Sequence, residues 1–288
     1  MKKLSIYILL LFYCVNLGAK SCQLPENINK MVVNKGIESL KENSDVNRNY
    51  NHLKKLCLYA LKFKENKFKW RMLLVLNPKR EHGLFWFLPH DNENSAFDSA
   101  VYAVQKYGGG FLSILNSNKR YNLGQDPNRN FSNSNFKICK EQSAPSPIYT
   151  KKIFSIIDYY KKPDYPYLAL HNNTNKGGVS ILKENQKTKS YFAYPKSQIN
   201  SQNQLTDEDN LVYMVGLNKM PPSIIYRLLE YGLNVKYEVV NKFNNDCSMS
   251  NYIVLEKGTN SYFNIEAEHK KSAIQKVMID RLIQAIFN

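Results

Sequence analysis

The chain is short of several things. Its 288 residues include 12 glycines, 11 prolines, two tryptophans and only five histidines: His52, His82, His90, His171 and His269. A metal site using imidazole must draw on those five. No internal repeat is present. No interleaving of basic and aromatic residues marks a nucleic-acid surface, so nucleic acid is not an expected partner, although the formal charge is +16. The 40 lysines and arginines are scattered rather than massed in one patch, which reads as a solvated surface. A bilayer-spanning helix needs about 20 apolar residues, and the apolar run over 4–15 is too short.

That run instead has the layout of an export signal. Lys2 and Lys3 precede it, Leu17, Gly18 and Ala19 follow, and cleavage is expected after Ala19. A periplasmic or secreted protein with no integral membrane span is the expectation. Cleavage removes two of the positive charges and Cys14. Cys22, Cys57, Cys139 and Cys247 remain. An even number in an oxidising compartment permits two disulfides, and the sequence leaves all three pairings open. Cys22 follows Lys20 and Ser21, which is a poor lipidation context.

At 43% hydrophobic and 22% charged over all 288 residues, the chain is globular in composition. Three regions are expected: a signal peptide over 1–19, a polar amino-terminal extension over 20–65, and a catalytic domain over 66–288. Residues 52–64 read as a helix or the start of a strand. From Trp70 the pattern sharpens. Apolar runs at 70–77, 83–90 and 111–116 read as strands, and 94–107 as a helix with Phe97, Val101 and Val104 on one face. Residues 117–148 form a long polar loop, and 149–162 a helix. Strands follow at 167–173, 210–217, 234–240, 250–258 and 261–269. A polar excursion occupies 183–210. Helices are expected at 221–233, opened by two prolines, and at 270–287. Strand–helix–strand alternation of this kind gives an α/β fold with a mixed, largely parallel central sheet flanked by helices.

The organising stretch is LFWFLPHDNE, residues 84–93. An apolar strand ends at Pro89 and is followed by His90 and Glu93. His171 also closes an apolar strand. Parallel strands present their carboxyl ends to a shared crevice. Two histidines and a glutamate make a donor set for catalytic zinc. Between them lies DPNRNF, residues 126–131, where a guanidinium beside an amide suits capture of a carboxylate. Glu266 sits on an apolar strand with Phe263 and Ile265. A carboxylate in such a place needs a partner or a raised pKa, and either makes it a candidate general base.

The order His-x-x-Glu, DPNRNF, strand-end histidine and apolar strand with glutamate resembles the zinc carboxypeptidases of the carboxypeptidase A type. The resemblance runs from about Trp70 to the carboxyl terminus. It implies one zinc ion held by His90, Glu93 and His171. It also implies carboxylate binding by Asn128 and Arg129, Glu266 as catalytic acid/base, and Arg120 as the group that polarises the scissile carbonyl. A substrate-capping tyrosine has two candidates, Tyr252 and Tyr262. The short spacer from Glu93 to His171 is similar to that of compact bacterial members and deacylase-like relatives. The implied activity is hydrolysis of an amide beside a free carboxylate, with peptidoglycan stem peptides as substrate. A deacylase of N-acyl amino acids and a non-catalytic exported module for acidic ligands are the alternatives. Oligomeric state is left open.

Overall fold

The computed structural model describes residues 22–175, 179–182, 205, 207–219 and 222–288, with the backbone alone of 191–194. The expected export signal and most of the expected excursion over 183–210 lie outside the described residues. Ten strands form one sheet: β1 (Val32–Lys35), β2 (Cys57–Glu65), β3 (Phe68–Leu76), β4 (Phe85–Leu88), β5 (Gly110–Ile114), β6 (Tyr167–Asn173), β7 (Tyr191–Tyr194), β8 (Leu211–Gly216), β9 (Asn234–Val239) and β10 (Tyr262–Glu268). Their order is β1-β2-β3-β5-β4-β6-β10-β8-β9-β7. The central block β5-β4-β6-β10 is parallel, as is β8-β9, and the other pairings are antiparallel. The fold is therefore α/β with a mixed sheet that is parallel through its centre.

Eight helices complete the described chain: α1 (Glu26–Asn29), α2 (Ser44–Arg48), α3 (Tyr50–Leu53), α4 (Asn94–Tyr107), α5 (Pro147–Tyr160), α6 (Ile224–Glu230), α7 (Met249–Leu255) and α8 (Ser272–Phe287). Strand side chains alternate between faces, so the sheet supports two cores. Leu73 and Val75 of β3 enter one core with Ala100 and Val104 of α4 and Met278 and Leu282 of α8. Met72, Leu74 and Leu76 enter the other with Ile153 and Ile157 of α5 and Ile253 of α7. Both faces are covered, which is why the central strands read as unbroken apolar runs.

Two expectations need correction. Within the expected extension over 20–65, residues 20–55 read as carrying no core, yet they pack into the domain. β2 pairs with β3 along its whole length, from Cys57↔Leu76 to Glu65↔Phe68, and β1 adds a further strand. Leu40, Val46 and Leu53 belong to the main core. Their apolar residues are sparse because short helices each deliver only one. The expected strand over 250–258 is also absent. Met249–Leu255 is helical, with the Ser248 hydroxyl accepting from the Asn251 N–H as an amino-terminal cap. Every residue from 249 to 254 is buried. A helix buried all round leaves no amphipathic period, and its tyrosine, isoleucine and valine imitate a strand.

The four cysteines pair as Cys22–Cys57 and Cys139–Cys247. The first ties the amino-terminal segment to β2, and the second ties the long loop to the segment before α7. No helix among the described residues is long and apolar enough to cross a membrane.

Candidate metal centre

His90, Glu93, His171 and Glu266 come together at the carboxyl ends of the parallel block. β4 ends at Leu88, and Pro89 follows it outside the strand and leads to His90, whose ring reaches Glu93 and His171. Glu93 immediately precedes α4, where the positive end of the helix dipole favours a carboxylate. His171 lies within β6 and is paired in parallel register with Glu266 of β10. All four side chains are buried.

The donor atoms converge. His90 Nδ1 is 2.7 Å from Glu93 Oε1, and His171 Nδ1 is 3.2 Å from Glu93 Oε2. The two Nδ1 atoms are 3.2 Å apart. One ligand atom from each of the three residues lies within 4.8 Å of the others. Ligands at 2.0–2.1 Å from a tetrahedral ion stand roughly 3.3 Å apart, so this nitrogen–nitrogen–oxygen set has the spacing of a zinc site.

Neighbours hold each donor in place. His90 Nε2 donates to Asp126 Oδ1 at 2.9 Å, which keeps the ring proton on Nε2 and turns the Nδ1 lone pair inward. The Asn172 N–H donates to Glu93 Oε2 at 3.0 Å, while its side-chain Oδ1 accepts from the Ala96 N–H in the first turn of α4. One residue of β6 thus secures both a donor and the helix that presents it. Gln275 of α8 donates to the His171 carbonyl at 2.8 Å.

Charges follow the same geometry. Burial would lower the His90 imidazole, but Glu93 and Asp126 outweigh it and raise it to about 9. Burial works against the Glu93 carboxylate, yet His90 and His171 hold it well below the usual range. Glu266 goes the other way: burial raises it, and the pull of His171 does not cancel the effect. Its Oε1 accepts from Asn264 Nδ2 at 2.8 Å.

Arg120 reaches the same place from the loop after β5. Its Nη1 donates to Glu93 Oε1 at 3.1 Å and its Nε to Asp126 Oδ2 at 3.2 Å. The loop is pinned by Asp91, whose Oδ2 accepts from the Asn116 and Asn118 N–H groups. Arg120, Glu93, His171 and Glu266 line one cavity of about 220 Å3, together with Asn172, Asn173, Thr174, Val179 and His269.

Asn128 and Arg129 do not line that cavity. They sit in a 3-10 turn, Pro127–Arg129, capped by Asp126. Asn128 Oδ1 accepts from the Met249 N–H at 3.2 Å. Arg129 Nε lies 3.1 Å from Glu141 Oε2 and 3.2 Å from Asp246 Oδ2. Of the two tyrosines, Tyr252 donates its hydroxyl to Asn133 and stacks on Phe154, inside the α5–α7 core. Tyr262 is buried on the Glu266 face of β10, within electrostatic reach of Glu266, Arg129 and Asp246. Neither lines the cavity.

The sequence reading assigned no role to Asp126 or Asp246. Asp126 was visible in the DPNRNF block, and an acceptor for a ligand histidine was the signal to seek. Asp246 had no local signal, since it meets Arg129 across more than a hundred residues.

No family model matches the chain, and no curated protein matches it. Among solved structures it is similar to a protein from Shewanella amazonensis SB2B described as a "putative metallopeptidase". The identity is 13% over 88% of this chain and 93% of that one, with a TM-score of 0.47. It is also similar to an aspartoacylase family protein from Mesorhizobium loti, at 12% identity over 80% of this chain and 66% of that one, with a TM-score of 0.44.

Proposed function

We propose that the chain is an exported zinc-dependent hydrolase of the carboxypeptidase type. It cleaves an amide beside a free carboxylate in peptides such as peptidoglycan stem peptides. One observation carries the reading. His90, Glu93 and His171 bring two imidazole nitrogens and a carboxylate to zinc-ligand spacing, with a second buried carboxylate, Glu266, opening on the same cavity. The two disulfides support placement in an oxidising compartment.

Each side chain has a task. A zinc ion held by the three donors would lower the pKa of a water from about 15.7 to about 7 and polarise the substrate carbonyl. Glu266 accepts the proton of the attacking water. The hydroxyl adds to the carbonyl carbon, the carbon–nitrogen bond breaks, and Glu266 returns the proton to the leaving nitrogen. Its raised affinity for a proton suits both steps. Arg120 offers a guanidinium to the carbonyl oxygen from the cavity wall. Arg129 supplies a cation beside the substrate's anionic end.

The test combines metal content with one substitution. Purified protein should hold one zinc per chain and remove a terminal residue from a muropeptide. Glu266→Gln should retain the zinc and lose about 100-fold or more in rate. Protein that takes up no zinc, or Glu266→Gln at full activity, would refute the mechanism. An intact muropeptide alongside cleavage of simpler peptides would refute only the substrate.

A further inference from the structure

A second group of carboxylates lies outside the zinc donors. β8 runs antiparallel to β10, with Leu211 opposite Glu266. The chain entering β8 therefore passes Glu268, the last residue of β10. Asp207 and Asp209 meet Glu268 there, and one carboxylate oxygen from each of the three lies within 4.8 Å of the others. β6 flanks β10 on its other side, with Asn173 in register with Glu268. Three segments thus converge: the carboxyl ends of β6 and β10, and the turn before β8.

The carboxylates are fixed in place. Asp207 Oδ1 accepts from the Asp209 N–H at 3.0 Å. Asp209 is fully buried, and Glu268 is partly so. Burial raises the Glu268 carboxyl, and the charges of Asp207 and Asp209 raise it further against the pull of Lys271. Like charges at this spacing repel, and a cation among them turns the repulsion into binding.

A neutral neighbour points to the same ligand. Asn173 is 8% exposed. Its Nδ2 donates to the Asp209 carbonyl at 2.7 Å, which holds the amide against the group, between Asp209 and Glu268. Its Oδ1 is buried and accepts no hydrogen bond among the described residues. A buried acceptor without a donor is costly, and a cation held by the three carboxylates would satisfy it.

The donor chemistry selects the ion. Structural zinc sites favour nitrogen and sulfur, and this group has neither. Calcium takes roughly six to eight oxygens at about 2.3–2.6 Å, so its ligands stand as much as about 5 Å apart. The group fits within that span. We propose that Asp207, Asp209, Glu268 and Asn173 form a calcium site that fastens the segment before β8 to the ends of β6 and β10. Four protein oxygens leave room for water, which suits the affinity of extracellular calcium modules, a Kd on the order of 10⁻⁴–10⁻³ M.

The site adjoins the reaction cavity. His171 and Glu266 form the preceding row on the same face of the same strands, two residues or about 6.7 Å away. Asn173 lines the cavity, as does His269, whose N–H donates to the Asn173 carbonyl at 3.0 Å. Calcium here fixes that wall without using any zinc donor, and the site does not depend on which bond the cavity cleaves.

Calcium itself is the probe, added to zinc-loaded protein in calcium-free buffer. Isothermal titration should show one calcium per chain at the affinity above. Calcium at ten times Kd should raise Tm by about 2–5 °C. Magnesium, which gives up its water reluctantly, should raise it less. Glu268→Gln and Asp207→Asn each remove one charge, and each should weaken calcium binding by at least about tenfold, because affinity follows the charge of the ligands. Asp207→Asn keeps the oxygen that accepts from the Asp209 N–H. A further readout needs no variant: calcium should slow amide hydrogen exchange across 207–210 and at 268–269. The site is overturned by no heat and no Tm shift in the wild type, or by a magnesium shift as large as that of calcium. It is equally overturned by an undiminished calcium response in both variants, or by exchange slowed only around His90 and Glu93.

Discussion

Asp126 Oδ1 accepts from His90 Nε2 at 2.9 Å, on the side of the ring away from Glu93. A neutral imidazole that donates through one nitrogen offers its lone pair through the other. Asp126 therefore sets the tautomer in which His90 can ligate, and it also raises the basicity of that nitrogen. Loss of such a partner weakens metal affinity by about 10–100-fold. Asp126→Ala should lower zinc affinity by that factor, read by competition with a chromophoric chelator. Unchanged affinity would mean that the hydrogen bond does not shape the ligand.

A second carboxylate, outside the metal-ligand set, gives a pH signature. Asp45 of α2 is 2% exposed. Arg48 lies 2.5 Å from it and also pairs with Asp98 at 2.9 Å. Burial nonetheless dominates, and the Asp45 carboxyl is raised from 3.8 to about 6. The folded state therefore binds this proton more tightly than the unfolded chain does. Stability from this group is complete below about pH 4 and falls as pH rises through 6, by on the order of 3 kcal/mol. Asp45→Asn should flatten that part of the stability profile. The check is the difference between wild-type and variant urea midpoints from pH 4 to 7; a difference that does not vary with pH would rule the assignment out.

Glu65 links two elements that the sequence keeps more than eighty residues apart. Its Oε1 and Oε2 accept from the Ile148 and Tyr149 N–H groups, each at 2.8 Å, at the first turn of α5. Those donors have no partner within the helix. Glu65→Ala should cost about 1–3 kcal/mol in denaturant unfolding, because two donors of the first turn, that of Tyr149 buried, lose their acceptor. Glu65→Gln should cost less, since its amide oxygen still satisfies one donor.

What could be read from the sequence was what is local. LFWFLPHDNE carries its own strand, its stop and two donors within ten residues, and α4 shows its buried stripe directly. His171 near the end of β6 and the apolar frame of Glu266 were legible for the same reason. What failed was non-local or aperiodic. β2 is a strand because β3 and β1 flank it, not because of its own pattern. α7 is buried on every side and so has no stripe. Arg129 was found by its motif, but its two carboxylate neighbours come from segments that only the tertiary fold brings near. Those neighbours alter its chemistry more than the motif does.

The disulfide Cys139–Cys247 joins those segments. Glu141 follows Cys139 by two residues and Asp246 precedes Cys247 by one. The Cys247 carbonyl accepts from the Phe131 N–H at 2.9 Å, which carries the constraint on to the Arg129 turn. With a sequence separation of 108, the bridge closes a long loop, and removing it should cost about 2–5 kcal/mol. Cys139→Ala/Cys247→Ala should lose that much in guanidinium unfolding and keep its zinc, because no donor of the metal centre lies on either tethered segment. Loss of zinc from the double variant would show that the bridge also supports the metal centre, through the Arg129 turn and the Asp126 that caps it and holds His90.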